Sequence, residues 1–202
     1  MKKIISLFII LILLLSLTGC SSSISYEEME ETLSDFMEAL KVYDREALTE
    51  CLDRFPDSSE YVYLDDIYND EGYMELYRLA FPELTYIVEE DDKNTLNITC
   101  TNADIQKLYV NVTAMVLELA ISDETLQKKL NEDEGNGILL VRELMLSMAR
   151  DPSNLQKATN SYTLTFKRKE GKVVIVCNDE LRTLITGRFF LSKNMLASDL
   201  NR

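Results

Sequence analysis

The chain contains neither histidine nor tryptophan, and the absence of histidine removes several kinds of catalytic site. Without histidine, a Ser-His-Asp or Cys-His catalytic arrangement cannot be assembled. Zinc and copper sites with histidine ligands are excluded for the same reason. Proline and glycine are scarce, at three and six of 202 residues. Apart from one short serine-rich stretch we find no low-complexity segment and no internal repeat.

Basic residues are also few, since 21 lysines and arginines face 35 acidic residues and the net charge is −14. A body of this charge is repelled by nucleic acid and by anionic lipid headgroups. We therefore expect no nucleic-acid partner, and a domain that stands off a membrane surface rather than lying on it. The charge does not exclude positively charged partners, although an acidic surface more often serves only solubility.

A long hydrophobic run lies at the N-terminus. Lys2 and Lys3 precede an apolar run of 14 residues, 4–17, that only two serines interrupt. This length suits the hydrophobic region of a signal peptide, and it is short for a membrane-spanning helix, which needs roughly 20 apolar residues. The run ends in a branched apolar residue, a small polar residue, glycine and cysteine, namely Leu17, Thr18, Gly19 and Cys20.

These four residues resemble the lipobox of bacterial lipoprotein precursors, in which the cysteine thiol receives a diacylglyceryl group before cleavage on its N-terminal side. The resemblance implies that residues 1–19 are a signal peptide, that Cys20 is the lipid attachment site and that residues 20–25 form a short tether. We then expect the protein on the extracytoplasmic face of the cell membrane, because two acyl chains anchor a protein stably. The alternatives are an ordinary signal peptide cleaved elsewhere and an uncleaved anchor with an incidental cysteine.

Three further cysteines follow, namely Cys51, Cys100 and Cys177. Outside the cell, an odd number allows at most one internal disulfide and leaves a spare thiol. Cys51 falls on an apolar helical stripe, whereas Cys100 and Cys177 continue the apolar alternation of two strand-like segments. We interpret all three as small buried hydrophobic residues rather than as a disulfide framework.

The mature chain would have 183 residues, which is 202 less the 19 residues of the leader, and this length suits one domain with a sizeable core. We expect a single domain over residues 26–191, followed by a polar tail at residues 192–202. Apolar residues at helical spacing predict helices at 25–44, 45–55, 60–68, 70–81, from 102 or 104 to about 119, from 122, at 138–150 and at 179–187. Apolar alternation predicts two hairpins, 84–100 and 162–177, the second turning at Glu170 and Gly171.

The helix ends carry recognisable capping residues. Ser25 and Glu28 match a capping box, and Asp44 precedes the second helix. Ser122 and Asp179 are the expected caps of two later helices. Each boundary is therefore predicted from a local interaction as well as from apolar spacing.

Four stretches of the chain occur in an order that is typical of one family. They are residues 36–40 before Asp44, residues 84–86, residues 98–104, and residues 171–175 before 179–181. Together they span most of residues 26–187 and resemble small Gram-positive lipoproteins with a nuclear-transport-factor-2-like (cystatin-like) fold. The resemblance implies an α+β domain whose N-terminal helices pack on a curved antiparallel sheet, with a helical block between two hairpins. It implies no activity.

Some domains of this fold are isomerases or dehydratases that use an aspartate base with tyrosine or aspartate donors inside the cone of the sheet. The strand positions expected to face this cone are Leu84, Tyr86, Val88, Leu96, Ile98, Tyr162, Leu164 and Phe166. None is a carboxylate, so Tyr86 and Tyr162 are the only candidate polar donors. Aromatic residues at strand spacing more often pack in a core or at its rim. A carboxylate beside either tyrosine would favour an enzyme, and a filled cone would favour a binding protein.

Two acidic clusters, at residues 65–72 and 131–137, contain oxygen ligands and glycine. Neither has the ligand spacing of a calcium-binding loop. We interpret both clusters as solvated loops or helix ends, and we expect no metal and no cofactor.

The outward face of the predicted sheet consists mostly of threonine and serine, with an apolar patch of Ile87, Val174 and Val176. One interpretation is an ordinary solvated sheet face with scattered apolar residues. The other is a docking surface, either for a second copy of the domain or for the later helical segments.

The function that these patterns favour is that of a membrane-anchored extracytoplasmic lipoprotein with a non-catalytic binding or interaction domain. The expected partner is a protein, a cell-wall component or a small molecule, and a homodimer is one form that the interaction could take. The alternative is a small enzyme of the isomerase or dehydratase type that uses a cone-shaped pocket.

Overall fold

The computed structural model describes residues 23–55, 71–132 and 134–189. The predicted leader, the lipobox with Cys20, the predicted helix at 60–68 and the polar tail lie outside these described residues. The described residues form an α+β structure with seven α-helices and one four-stranded antiparallel sheet. Among them, no helix combines the length and the apolar composition needed to cross a membrane.

The elements follow one another in the predicted order of helices, hairpin, helical block and hairpin. The helices are α1 (Tyr26–Val42), α2 (Arg45–Glu50), α3 (Glu71–Ala80), α4 (Ile105–Ser122), α5 (Glu124–Glu132), α6 (Glu134–Ala149) and α7 (Asp179–Ile185). The strands are β1 (Thr85–Asp92), β2 (Thr95–Ala103), β3 (Lys157–Lys169) and β4 (Lys172–Ile175). A short 3-10 turn, Pro152–Asn154, leads from α6 into β3.

The start of α1 has the capping box that the sequence predicts. The N–H of Glu28 donates to Ser25 Oγ at 3.2 Å, and the N–H of Ser25 donates to Glu28 Oε2 at 2.9 Å. These two bonds satisfy backbone groups that the first helical turn leaves free. The helix ends at Val42, its C-cap Tyr43 has a left-handed backbone, and Asp44 then caps α2. Because Ser25 caps the helix and Ile24 is buried, these two residues of the expected tether are part of the folded domain.

Other helix boundaries differ from the prediction by a few residues. Asp123, rather than Ser122, caps α5, because its carboxylate accepts from the N–H groups of the first turn. Asn178, rather than Asp179, caps α7 and accepts from the N–H of Leu181 at 2.9 Å. In both places two neighbouring residues are suitable caps, and the side chain that reaches the free N–H groups decides between them. The predicted third helix of the block begins earlier, at Glu134.

The sheet has the strand order β1-β2-β3-β4, so each hairpin supplies two neighbouring strands and β2 pairs with β3 in the middle. The second hairpin turns at Glu170 and Gly171, whose φ angles are 53° and 88°. Two positive φ angles are characteristic of the two-residue turn whose twist matches that of the flanking strands. Strand β4 stops at Ile175 and is shorter than the predicted 173–177.

The inner face of the sheet is buried as its alternation predicts. The buried members are Leu84, Leu96, Ile98, Cys100, Tyr162, Leu164 and Phe166, and Tyr86 and Val88 are half-buried. Helix α1 covers this face with its own buried stripe, which contains Met29, Leu33, Phe36, Met37 and Leu40. The described core is one cluster that runs from Ile24 to Phe189, so a chain that begins at Ser21 retains all of it.

The outer face corrects one prediction. Val174 pairs with Lys167 while Ile175 pairs with Phe166 of the core, so Val174 has the expected outward register. It is nevertheless only 4% exposed, which corrects the interpretation of a wholly solvated sheet face and leaves the docking interpretation untested. Val176 is half-buried, whereas Ile87 is 67% exposed. The register of a strand decides which face a residue is on, but burial also depends on what covers that face.

After α2 the chain runs beside β4 and is joined to it by backbone and side-chain bonds. The N–H of Asp53 donates to the carbonyl of Ile175, and the N–H of Ile175 donates to the carbonyl of Cys51, both at 2.9 Å. The Asp53 carboxylate accepts from the N–H of Cys177 at 2.8 Å and lies 2.7 Å from Lys167 Nζ. Asp53 therefore connects the N-terminal helices to the last strand of the sheet.

Helix α4 is apolar on almost every side. Its buried residues are Ile105, Leu108, Val112 and Val116, which belong to the predicted stripe. Met115 and Leu119 continue the apolar spacing from which this helix was predicted, but both are exposed rather than buried. The neighbouring elements cover only part of the apolar surface of α4. Its other apolar side chains are therefore in contact with solvent.

Candidate functional site

The inward-facing side chains of the described strands are buried or half-buried. The cavity that remains beside Tyr162 has a volume of about 20 Å³, and its lining includes Cys100, Asp104 and Arg188. A space of this size holds about one water molecule. This cavity among the described residues is therefore too small for a small-molecule substrate.

Asp104 is the one carboxylate in the lining of this small cavity. Burial, together with the negative charges that Cys100 and Asp104 can carry, raises the pKa of Tyr162 to about 12. The Asp104 carboxylate, however, caps α4 by accepting from the N–H of Lys107 at 2.8 Å. A neutral phenol beside a helix-capping carboxylate, with space for one water, fits a structural role better than a catalytic one. The sequence alone offered position 104 only as one of two possible starts of this helix, and it identified no carboxylate beside Tyr162.

A wide groove lies between α1, α2 and the turn of the second hairpin, with a volume of about 720 Å³. Six acidic side chains line it, namely Glu28, Glu31, Asp35, Glu38, Asp44 and Glu50, together with Arg168 and Lys172. The Ser25 backbone N–H, followed by the ion pair with Arg168 at 2.7 Å, lowers the pKa of Glu28. Among the described residues, no group of three or more acidic or cysteine side chains has the geometry of a metal site. We interpret this groove as the solvated acidic face of α1.

An apolar cleft is the third cavity, and we refer to it by that name below. It lies between α3, α4, α5, α6 and Phe189, and its volume is about 290 Å³. Its lining includes Tyr73 of α3, Tyr109 and Thr113 of α4, and Ile138 of α6. No residue in the lining carries a formal charge. Apolar lining with a few polar groups is typical of small-molecule sites.

Aromatic contacts shape one wall of the apolar cleft. The ring of Phe189 meets that of Tyr109 edge to face, with centroids 5.1 Å apart. It also lies against Tyr73, with centroids 5.8 Å apart. These separations are in the range at which aromatic rings attract each other, so the three rings hold α3, α4 and the end of the described chain together.

The mouth of the apolar cleft continues into exposed aliphatic surface. Leu117 of α4 and Ile138 of α6 both line the cleft and are exposed to solvent. The other large exposed apolar residues of these two helices are Val110, Met115, Leu119, Ile121 and Leu139. Isolated apolar residues on a surface need no explanation, but apolar patches are frequently interaction sites. The sequence interpretation missed this surface, although apolar residues on several faces of α4 were the signal for it.

The residues that the sequence singled out are not brought together. Ile87 lies on β1 and Val174 on β4, which are opposite edges of the sheet, so with Val176 they form no continuous exposed patch. The lipobox residues Leu17 to Cys20 lie outside the described residues. The apolar cleft uses none of these positions.

The three described cysteines are free thiols. Cys100 and Cys177 are buried and Cys51 is half-buried, in agreement with their interpretation as hydrophobic residues. Burial, followed by the charges of Asp35 and Glu50, raises the pKa of Cys51 to about 11, and burial raises that of Cys100 to about 12. Thiols with raised pKa values are poor nucleophiles, because the thiolate is the reactive form.

Comparisons of the chain with protein-family models, with curated proteins and with solved structures found no match.

Proposed function

We propose that the protein is a lipid-anchored extracytoplasmic lipoprotein whose domain is a non-catalytic binding domain. The lipobox-like residues Leu17, Thr18, Gly19 and Cys20, together with the leader before them, support the anchor. The apolar cleft is the candidate binding site, and its partner belongs to one of the expected classes: a protein, a cell-wall component or a small molecule. The domain is further proposed to be nuclear-transport-factor-2-like, which its helix-covered antiparallel sheet and its helical block between hairpins support.

The observation that carries the binding role is the difference between two cavities. The apolar cleft has a volume of about 290 Å³, near the lower end of the size range of small-molecule sites. The space in the cone of the sheet, where an enzyme of this fold would hold its substrate, is about 20 Å³. A binding function of the helical block therefore fits the described residues better than catalysis in the cone.

The proposed anchor also limits how far the domain lies from the bilayer. Ile24 is buried in the core, so only the few residues after Cys20 separate the lipid from the folded domain. At most about 3.5 Å per residue, four residues from Cys20 to Ile24 span about 14 Å. The domain would thus lie close to the membrane surface, although its acidic body is repelled by anionic headgroups.

Metabolic labelling of cells with an alkyne fatty acid tests the anchor directly. We expect the wild-type chain to be labelled and to fractionate with membranes, and we expect the Cys20→Ala variant to lose the label. The Cys51→Ala variant is the matched control, since it also removes one thiol but keeps the lipobox, and it should label like the wild type. Labelling of the Cys20→Ala variant at the wild-type level would refute the anchor.

A further inference from the structure

We propose that two copies of the protein pair through the solvent-facing side of α4, with the two helices antiparallel. This inference goes beyond the proposed binding site, and it rests on the proposed lipid anchor only for bringing the copies together. Three features of α4 lead to it: the spacing of its exposed apolar residues, their sizes, and the position of its charges.

A second apolar stripe runs along the side of α4 that faces away from the core. It consists of Val110, Ala114, Leu117 and Ile121, and we call it the α4 seam. These residues follow one another at steps of four, three and four, which is the spacing of the contact positions in paired helices. All four are exposed, and the exposed fractions of Val110, Leu117 and Ile121 are 46%, 60% and 86%. Since α4 already packs on the core through another stripe, the α4 seam is free to contact a further helix.

The sizes of the residues in the α4 seam suit a second copy in the antiparallel direction. A two-fold axis between Ala114 and Leu117 sets Leu117 of each copy opposite Ala114 of the other. The same axis sets Ile121 opposite Val110. A large side chain thus meets a small one at the centre, and such pairs let two helices pack closely. A parallel pair would set Leu117 against Leu117 and Ala114 against Ala114, which leaves a gap at the alanines.

The charges of α4 favour the same direction. Although the chain has a net charge of −14, Lys107 and Glu118 are the only charged residues within α4, so this helix is neutral. In the antiparallel pair, the exposed Lys107 of each copy lies beside the C-terminal end of the other α4, where Asp123 and Glu124 follow. A cation is stabilising at this end of a helix, and the two carboxylates add to the attraction. A parallel pair would set the two Lys107 side chains next to each other.

The α4 seam is smaller than the interface of a stable soluble dimer. A fully exposed aliphatic side chain offers roughly 100 Å² of apolar surface, so at their exposed fractions the three large residues offer roughly 200 Å² per copy. A standard interface buries about 800 Å² per partner. We therefore expect pairing on the membrane, where the anchor confines the copies and raises their effective concentration, and dissociation in dilute solution.

Cysteine crosslinking distinguishes the two directions. Val110→Cys and Ile121→Cys variants of the full chain, with tags of different size, are isolated from membranes, mixed in phosphatidylcholine liposomes and oxidised. Disulfide-linked residues have α-carbons about 4.4–6.8 Å apart. In the antiparallel pair, position 110 of one copy lies opposite position 121 of the other. Two residues at position 110 are separated along the helix axis by about 16 Å.

We expect the mixture to form at least about tenfold more mixed dimer than either variant forms of dimer with itself. A mixture of Val42→Cys and Ile87→Cys is the matched control, since the native residues are 61% and 67% exposed and lie outside α4, and it should give only collisional product. Leu117→Glu, added to both seam variants, should reduce the mixed dimer at least about fivefold, because it puts a charge into the contact. Ile87→Glu, at an equally exposed position outside the α4 seam, should leave the yield unchanged.

Three results would overturn the proposal. The first is a mixed dimer no more abundant than in the control mixture, which is also the result if the α4 seam binds a different protein. The second is a dimer of Val110→Cys with itself at the level of the mixed dimer, which indicates a parallel pair. The third is an unchanged yield with Leu117→Glu. The same crosslinking of the chain that begins at Ser21, at high concentration, does not involve the anchor. A mixed dimer there, together with absent labelling of Cys20, would refute the anchor and support the pairing.

Discussion

Asp53 joins the N-terminal helices to the last strand of the sheet. We expect its carboxylate to contribute more to the free energy of unfolding than any other single carboxylate. The side chain of Asp53 is only 10% exposed, while that of its partner Lys167 is 49% exposed. Burial by itself would raise the pKa of Asp53, but the bonds from Lys167 and from the Cys177 N–H outweigh it, and the pKa is lowered. The folded state therefore favours the ionised carboxylate.

The expected cost of removing this carboxylate follows from its two partners. A hydrogen bond from a backbone N–H to a charged group stabilises by about 1.5–3 kcal/mol. The ion pair with half-exposed Lys167 adds about 0–1 kcal/mol, because water screens it. We expect Asp53→Ala to lower the free energy of unfolding by about 2–4 kcal/mol, and Lys167→Met by less than about 1 kcal/mol. Asp53→Asn should fall between them, since its amide oxygen can still accept from Cys177.

Thermal and urea unfolding of the chain that begins at Ser21 measures these differences. For a domain of this size, each kcal/mol shifts Tm by about 2–4 °C. The contribution of Asp53 should be fully present above its ordinary pKa of 3.8 and should be lost as the pH falls through its lowered folded-state pKa. The difference in the free energy of unfolding between wild type and Asp53→Asn should accordingly be constant near neutrality. It should shrink as the pH falls below 3.8. A Lys167→Met variant that loses more stability than Asp53→Ala would refute this reasoning, as would a gap that widens in acid.

Two further predictions use pairs of matched variants, and the same unfolding measurements test both. Val174→Glu should destabilise the domain by more than about 2 kcal/mol, because it buries a charge without a partner, whereas Ile87→Glu at an exposed position should change stability by about 0.5 kcal/mol or less. Equal effects would mean that Val174 is not buried in solution. Gly171→Ala should cost about 1 kcal/mol, because its φ of 88° is unfavourable for alanine although nothing lies within 4 Å of the added Cβ. Gly187→Ala should lower the free energy of unfolding by about 1–3 kcal/mol more than Gly171→Ala does. Its φ is also positive, and its Cβ would lie 2.9 Å from Cγ1 of buried Ile105. A smaller loss than that of Gly171→Ala would contradict the packing at Ile105.

Features that depend on interactions between residues close in the chain were predictable. The capping box of Ser25 and Glu28 closes within three residues, and the turn at Glu170 and Gly171 needs only the backbone freedom of two neighbours. The inner face of the sheet was predictable too, because alternation puts every second residue on the same side. These local rules account for the order of the helices and hairpins.

The candidate site required information from distant parts of the chain. Val112 and Leu117 lie on the same helix and are both aliphatic, yet Val112 is buried and Leu117 is exposed. No local property separates them, since the elements packed around α4, among them α5 and α6, cover Val112 and leave Leu117 at the mouth of the apolar cleft. The apolar cleft is the gap that this partial cover leaves.

The sequence by itself determined some of the chemistry that the chain cannot carry out and the periodicity of its elements. It excluded histidine-based sites, and it placed Ile87 and Val174 on the outward side of their strands. Only the tertiary structure decided that Val174 is buried while Ile87 is exposed. The physical reason is that periodicity fixes the direction in which a side chain points, whereas its burial depends on long-range packing against residues that no local pattern identifies.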